Sequence, residues 1–225
     1  MEWLDRGTYE HDPMHPPLGR VAAAAGLYLQ GVRSSPDPDP ILDGNAILGG
    51  GEADRSHLTV ARLGTLPFLL LSCMVLWGWS WWSFGSETAA VAVLLFSSLP
   101  SILGHASMAM TDIALAATLP LALLSFCLWL NRCTAVQSAM LGLAVGLAIL
   151  SKFSALPFVA VCGILLIGMR CVSSKAVLDR IPARLAMLAF ATLCTALVIW
   201  AGYRFSLTAS PDGPHRKIDR ITGST

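Results

Sequence analysis

Residues 134–154 read TAVQSAMLGLAVGLAILSKFS, and no charged side chain interrupts them before Lys152. A helix crossing hydrocarbon needs roughly 20 such residues, because every backbone N–H and C=O must be satisfied inside the segment. The same pattern repeats in both directions from this stretch. Between Leu63 and Met169 the charged residues are Glu87, Asp112, Arg132 and Lys152 alone, in a chain of 225 residues that holds 15 basic and 14 acidic groups. Six segments read as spans: about Leu63 to Trp82, Thr88 to Gly104, Ile113 to Leu130, Thr134 to Leu150, Phe153 to Met169 and Arg184 to Tyr203. The expected fold is therefore an all-α polytopic membrane protein. Residues 1–62 form an extramembrane loop, 63–203 a transmembrane helical domain and 204–225 a polar tail.

Composition agrees with the spans. The chain is 55% hydrophobic and 13% charged, against about 25% charged for soluble domains, and its mean hydropathy is +0.64. A net charge of +1 gives no general attraction for nucleic acid. The six cysteines lack a CxxC or other metal-ligand spacing and read as small buried hydrophobes. Trp77, Trp79, Trp81 and Trp82 crowd the end of the first span, where indole rings favour the headgroup region. Gly142 and Gly146 make a GxxxG, which reads as a face for close helix packing. Pro67, Pro100, Pro120 and Pro157 are expected within helices whose neighbours satisfy the freed carbonyls.

The first 62 residues are polar without being of low complexity. Glu10, His11, Asp12 and His15 lie within six positions, followed by Pro16-Pro17-Leu18-Gly19-Arg20. Pro16 pushes His15 toward an extended backbone, and Pro17 suits the first position of a helix. Apolar residues then recur at Leu18, Val21, Ala22, Ala25 and Leu29, which predicts a short interfacial helix over about 17–31. Pro36 to Pro40 reads as an extended linker and Asp43-Gly44-Asn45 as a turn. The acidic and histidine residues suit metal ligation or a carboxylate base with partners, and equally an ordinary solvated loop.

Further ionisable residues sit at span ends. Asp112 follows a short connection containing His105, and Lys152 sits between the fourth and fifth spans. Asp112 suits a helix start, and Lys152 suits snorkelling to headgroups; the functional alternative is a shared aqueous pocket in which Lys152 meets a phosphate. Six spans place His15, Asp12, His105, Asp112, Lys152 and Arg204 on one side of the membrane and Glu87 on the other. Lys and Arg near span ends are almost balanced between the two sides, so charge alone leaves the orientation open.

The strings HPPLGR (residues 15–20), HASMAMTD (105–112) and GLAVGLAILSKFS (142–154), in this order and spacing, resemble the polyprenyl-phosphate-sugar-dependent glycosyltransferases of the protein O-mannosyltransferase and aminoarabinose transferase superfamily. The resemblance covers about Glu2 to Phe205. It implies a partial GT-C-type fold in the plasma membrane, with an active site on the outer face and a polyprenyl-phosphate-linked sugar as donor. The acceptor would be a hydroxyl of a protein, lipid or glycan. It further implies Asp112, with Asp12, as catalytic carboxylates and His15, Arg20, His105 and Lys152 as substrate-binding residues. It leaves a divalent metal open, with no other cofactor. The chain departs from the pattern at its start. Glu2 and Asp5 are not an adjacent acidic pair, and Met14 stands where relatives often carry an acid. An upstream span and further helices downstream are expected. The alternative is a non-catalytic membrane protein that binds the lipid carrier or acts as a scaffold. A single cysteine introduced at Met14, in a background free of other cysteines, is expected to react with a membrane-impermeant maleimide from outside the cell. Labelling only after permeabilisation contradicts the external assignment.

Overall fold

A computed structural model describes residues 1–8, 15–34, 40–48, 55–173 and 181–206, and among these every regular element is a helix. In chain order they are α1 (Glu2–Asp5), α2 (Pro17–Leu29), α3 (Pro40–Leu48), α4 (Arg55–Phe84), α5 (Ser86–Ser98), α6 (Pro100–Ser107), α7 (Asp112–Asn131), α8 (Ala135–Ser151), α9 (Ala155–Ser173) and α10 (Ile181–Gly202). Four are long and apolar enough to cross a membrane, namely α4, α7, α9 and α10; α5 and α6 together make a fifth if taken as one bent path. Helix α8 is apolar but only 17 residues long, about 26 Å at 1.5 Å per residue against a hydrocarbon core of about 30 Å.

The expected second span is two helices meeting at 61°. Pro100 is the first residue of α6, and Leu99 before it has φ −66° and ψ 126°, the extended backbone that a following proline imposes. Pro67 and Pro120 sit inside unbroken helices. Back-bonding hydroxyls precede all three prolines, Ser97 and Ser98 to Leu94 O, Thr65 to Arg62 O and Thr118 to Ala114 O, so they do not explain why the helix breaks at Pro100 alone.

Helix α8 is the centre of the bundle because its side chains are small. Ser138, Gly142, Ala144, Gly146, Ala148 and Ser151 are all buried. Its N-terminus is capped by the Thr134 hydroxyl, which accepts from Gln137 N–H at 3.3 Å. A Cβ on Gly142 would collide with Ala191 O and Cys194 Cβ of α10, and one on Gly146 would lie 2.7 Å from Val198 Cβ. Into this close approach Thr195 donates its hydroxyl toward both Gly142 O (3.1 Å) and Ala191 O (3.0 Å). On the other flank α7 is pinned to α8 at two levels. The Thr118 and Ser151 hydroxyls meet at 3.0 Å near one end, and Trp129 Nε1 donates to Ser138 Oγ at 2.9 Å near the other. Between them lie two apolar clusters, one of Ala122, Ala144, Ala148 and Ala155, the other of Trp129, Leu130, Leu141 and Ala191.

Helix α2 begins at Pro17, as its sequence implies, and packs across the α4 helix and the end of the bundle. Gly64 of α4 lies so close to the Ala22 carbonyl that no Cβ fits, and a Cβ on Gly26 would be 2.6 Å from Val60. Two expectations are corrected here. Asp43-Gly44-Asn45 is not a turn but lies inside α3; Pro40 preorganises the first turn, and Asp43 within it favours the positive helix end. The six cysteines, none in a disulfide, are half-buried rather than core residues, because their helices present much of their surface outward. Of the expected linker, residues 36–39 lie outside the described residues.

Gly142→Leu is expected to destabilise the protein by about 1–3 kcal/mol through overpacking against α10, read as a lowered unfolding midpoint in detergent. Gly78 has open space around it, so Gly78→Ala should be neutral or stabilising by up to about 1 kcal/mol. Equal losses in both variants would show that the α8–α10 approach is not what makes Gly142 necessary.

Candidate functional site

One end of the bundle gathers α1, the start of α2, the α6–α7 and α8–α9 connections and the end of α10. At its centre is a carboxylate, Asp112, in the first turn of α7, where the helix dipole favours a negative charge. It accepts a hydrogen bond from Lys152 Nζ at 2.6 Å. Lys152 is the residue at which α8 ends, with φ −163° and ψ 134°. That extended step turns its side chain back across the α7–α8 seam. The buried Thr118–Ser151 hydroxyl pair, next in sequence to Lys152, fixes the same seam.

The third member is His105, in the last turn of α6. Its Nδ1 lies 3.8 Å from Asp112 Oδ2, beyond hydrogen-bond length. That nitrogen is shielded from solvent without a hydrogen-bond partner among the described residues. The 99–100 bend sets the direction of α6, and the connection to α7 passes through Ala109 at φ +43°, a left-handed conformation that costs a non-glycine residue roughly 1–2 kcal/mol. An imidazole, a carboxylate and an ammonium thus share one partly exposed spot. Such a set can hold an anion on the ammonium, accept a proton on the carboxylate, and relay it through the ring.

His15 and Arg20 belong to an adjoining group. They line a cavity of about 30 Å³ with Glu2, Thr8 and Tyr203, roughly the space of one water molecule. Glu2 is buried and accepts a hydrogen bond from the Thr8 hydroxyl at 2.7 Å. Arg20 Nη1 points to the His15 carbonyl at 3.4 Å. The two groups touch through backbone, since Gly19 packs against Thr111, where a Cβ would come within 3.2 Å. The structure therefore brings Asp112, His105 and Lys152 into one cluster and seats His15 and Arg20 beside it. Asp12, with Glu10 and His11, lies outside the described residues.

Arg204 is at this same end but serves to tie the chain together. Its Nη1 donates to Trp3 O at 3.1 Å with the guanidinium 5.4 Å above the Trp3 ring, while Trp3 Nε1 donates to Gly202 O at 3.0 Å. Asp5 is likewise structural: it pairs with Arg33 at 3.5 Å and accepts Ser34 N–H at 2.6 Å. Among the described residues no three His, Cys, Asp or Glu side chains gather as a metal would need. Sequence reasoning missed Glu2 and Tyr203 as cavity residues. Glu2 sits on a four-residue helix, too short to show periodicity, and Tyr203 carries no motif. Compared with family models, curated proteins and solved structures, the chain matches none.

The Asp112–Lys152 pair is about one-third exposed, so a double-mutant cycle of Asp112→Asn and Lys152→Met is expected to give a coupling of about 0.2–1 kcal/mol in unfolding free energy. The same cycle between Asp112→Asn and Arg20→Met should give none. Equal coupling in both would merge the two groups into one network.

Proposed function

We propose that the chain is a membrane glycosyltransferase, or part of one, that moves a sugar from a polyprenyl-phosphate carrier to an acceptor hydroxyl at the outer face of the membrane. The observation that carries this reading is the Lys152–Asp112 pair with His105 beside it, at the end where the HPPLGR segment packs on Thr111. Six passes fit this reading, with α5 and α6 as one bent pass and α8 as a short one, in a partial GT-C-type arrangement with α2 near the interface. The three motifs of the sequence supply the family-level argument.

The reaction is a displacement with inversion. The acceptor oxygen attacks the anomeric carbon as the bond from that carbon to the carrier phosphate breaks, and the phosphate leaves with the electron pair. Lys152 suits the leaving phosphate, with His15 and Arg20 as neighbouring cationic and polar groups. A phosphate competing for Lys152 Nζ releases the Asp112 carboxylate, which then takes the acceptor proton; Asp12 is a second carboxylate for that role. The donor is the lipid-linked sugar and the acceptor a protein, lipid or glycan hydroxyl. No step in this scheme requires a metal ion, and none excludes one.

A second reading rests on the same contact. A carboxylate already committed to a lysine is a neutral pair, which suits a protein that binds the carrier without turnover. Transfer from a radiolabelled polyprenyl-phosphate sugar in membranes separates the two. The transferase reading expects Asp112→Asn to lower the rate by about 10²–10⁴-fold and Lys152→Ala to weaken donor binding. Equal rates in wild type and Asp112→Asn remove Asp112 from the chemistry, and carrier binding with no transfer by the wild type supports the second reading.

A further inference from the structure

At the opposite end of the bundle two cations meet no charged partner among the described residues, Asp179 lying outside these. Arg170 lies near the end of α9 and Arg184 near the start of α10. Arg184 Nη1 approaches Leu130 O at 3.4 Å. Leu166, one turn before Arg170, and Met187, three residues after Arg184, pack against the same Trp129–Leu130 cluster. Arg170 Nε is shielded from solvent and has no hydrogen-bond partner among the described residues, an expensive state for a charged donor. Among the described residues of α7 to α10 and their connections the sole carboxylate is Asp112, at the other end of α7. Glu87 lies in the first turn of α5, which packs on α4 and α6 rather than on these helices.

Beneath the two arginines is an apolar cavity of about 170 Å³. Helices α9 and α10 pack chiefly on α7 and α8 rather than on each other, and the space between them is walled by Val159, Gly163, Leu188 and Thr192, with Phe126 and Val145 as its floor. Its position relative to the cations follows from helix geometry. Leu188 is one turn along α10 from Arg184, and Gly163 is two turns along α9 from Arg170. The outer edge is open, since Leu188 and Thr192 are exposed. A pair of guanidinium groups above a hydrocarbon-sized slot, on helices apolar enough to span a bilayer, has the two-part chemistry of a phospholipid: phosphate above and acyl chain below.

We propose that Arg170 and Arg184 hold the phosphate of an anionic phospholipid, one acyl chain of which enters the slot between α9 and α10. The site is at the far end of the bundle from Asp112 and does not depend on the transfer reaction. Arg170, half-buried, donates to a phosphate oxygen from the accessible side of its guanidinium. Arg184 reaches the same group from the facing helix. The acyl chain fills the space over Phe126 and Val145 and joins α9 to α10 where protein contacts are few.

The full chain, purified in detergent and stripped of bound lipid, is titrated with phosphatidylglycerol and with phosphatidylcholine of the same acyl composition, and retained lipid is read by native mass spectrometry. Phosphatidylglycerol should be retained at least about tenfold better. Arg170→Ala with Arg184→Ala should abolish that preference, Gly163→Leu should weaken both lipids while keeping the preference, and Arg62→Ala, at the other end, should change nothing. Equal retention of the two lipids by the wild type overturns the proposal and requires no variant to fold. Displacement of phosphatidylglycerol by millimolar inorganic phosphate overturns the lipid assignment in favour of a free-anion site. An Arg62→Ala loss as large as that of the arginine pair assigns the effect to bulk charge and overturns it as well.

Discussion

The rest of the architecture depends on how closely helices can approach α8. In hydrocarbon, apolar surface gains little from association, so helices hold together by close backbone packing and a few hydrogen bonds. Helix α8 supplies both. Gly142 and Gly146 let α10 approach until Thr195 can donate to a backbone carbonyl of its neighbour, and Ser138 and Ser151 pin α7 at two levels. Remove the small residues and α7, α9 and α10 lose the common element against which each is placed. The Asp112–Lys152 contact is a by-product of the same seam, since its two residues start α7 and end α8.

Much of this was legible in the residues, for stated physical reasons. Long gaps between charges marked α4, α7, α9 and α10 because an ionic group in lipid is costly. The GxxxG marked a packing face, and Pro16-Pro17 marked the start of α2. What failed to show was anything decided by competition between neighbours. Pro67 and Pro120 sit in unbroken helices while Pro100 starts a new one, and nothing in the residues beside each proline separates the two outcomes. Asp43-Gly44-Asn45 has turn composition yet is helical, because Pro40 and the placement of Asp43 in the first turn favour the helix over the local bends those residues otherwise make.

The site was legible as a list of residues and not as a geometry. Odd and even counting along the chain put His15, His105, Asp112, Lys152 and Arg204 on one side, and the structure gathers them at one end of the bundle. It also sorts them. Lys152 and His105 address Asp112, His15 and Arg20 face a separate small cavity with Glu2, and Arg204 is occupied with Trp3. No spacing rule distinguishes these fates, because the contacts that decide them range from 5 residues apart for Arg20 and His15 to 201 for Arg204 and Trp3.

The bend between α5 and α6 has a mechanical side. Helix α6 is a short arm hinged on Leu99 and Pro100, and His105 is five residues from the pivot, about 7.5 Å along the arm at 1.5 Å per residue. Closing the 3.8 Å gap between its ring and Asp112 to hydrogen-bond length requires a swing of roughly 7°. The contacts of α6 with α4 and α7 hold that angle. The histidine is thus set by the angle at one proline, and a few degrees in that angle separate a ring that stands off the carboxylate from one in hydrogen-bond contact with it.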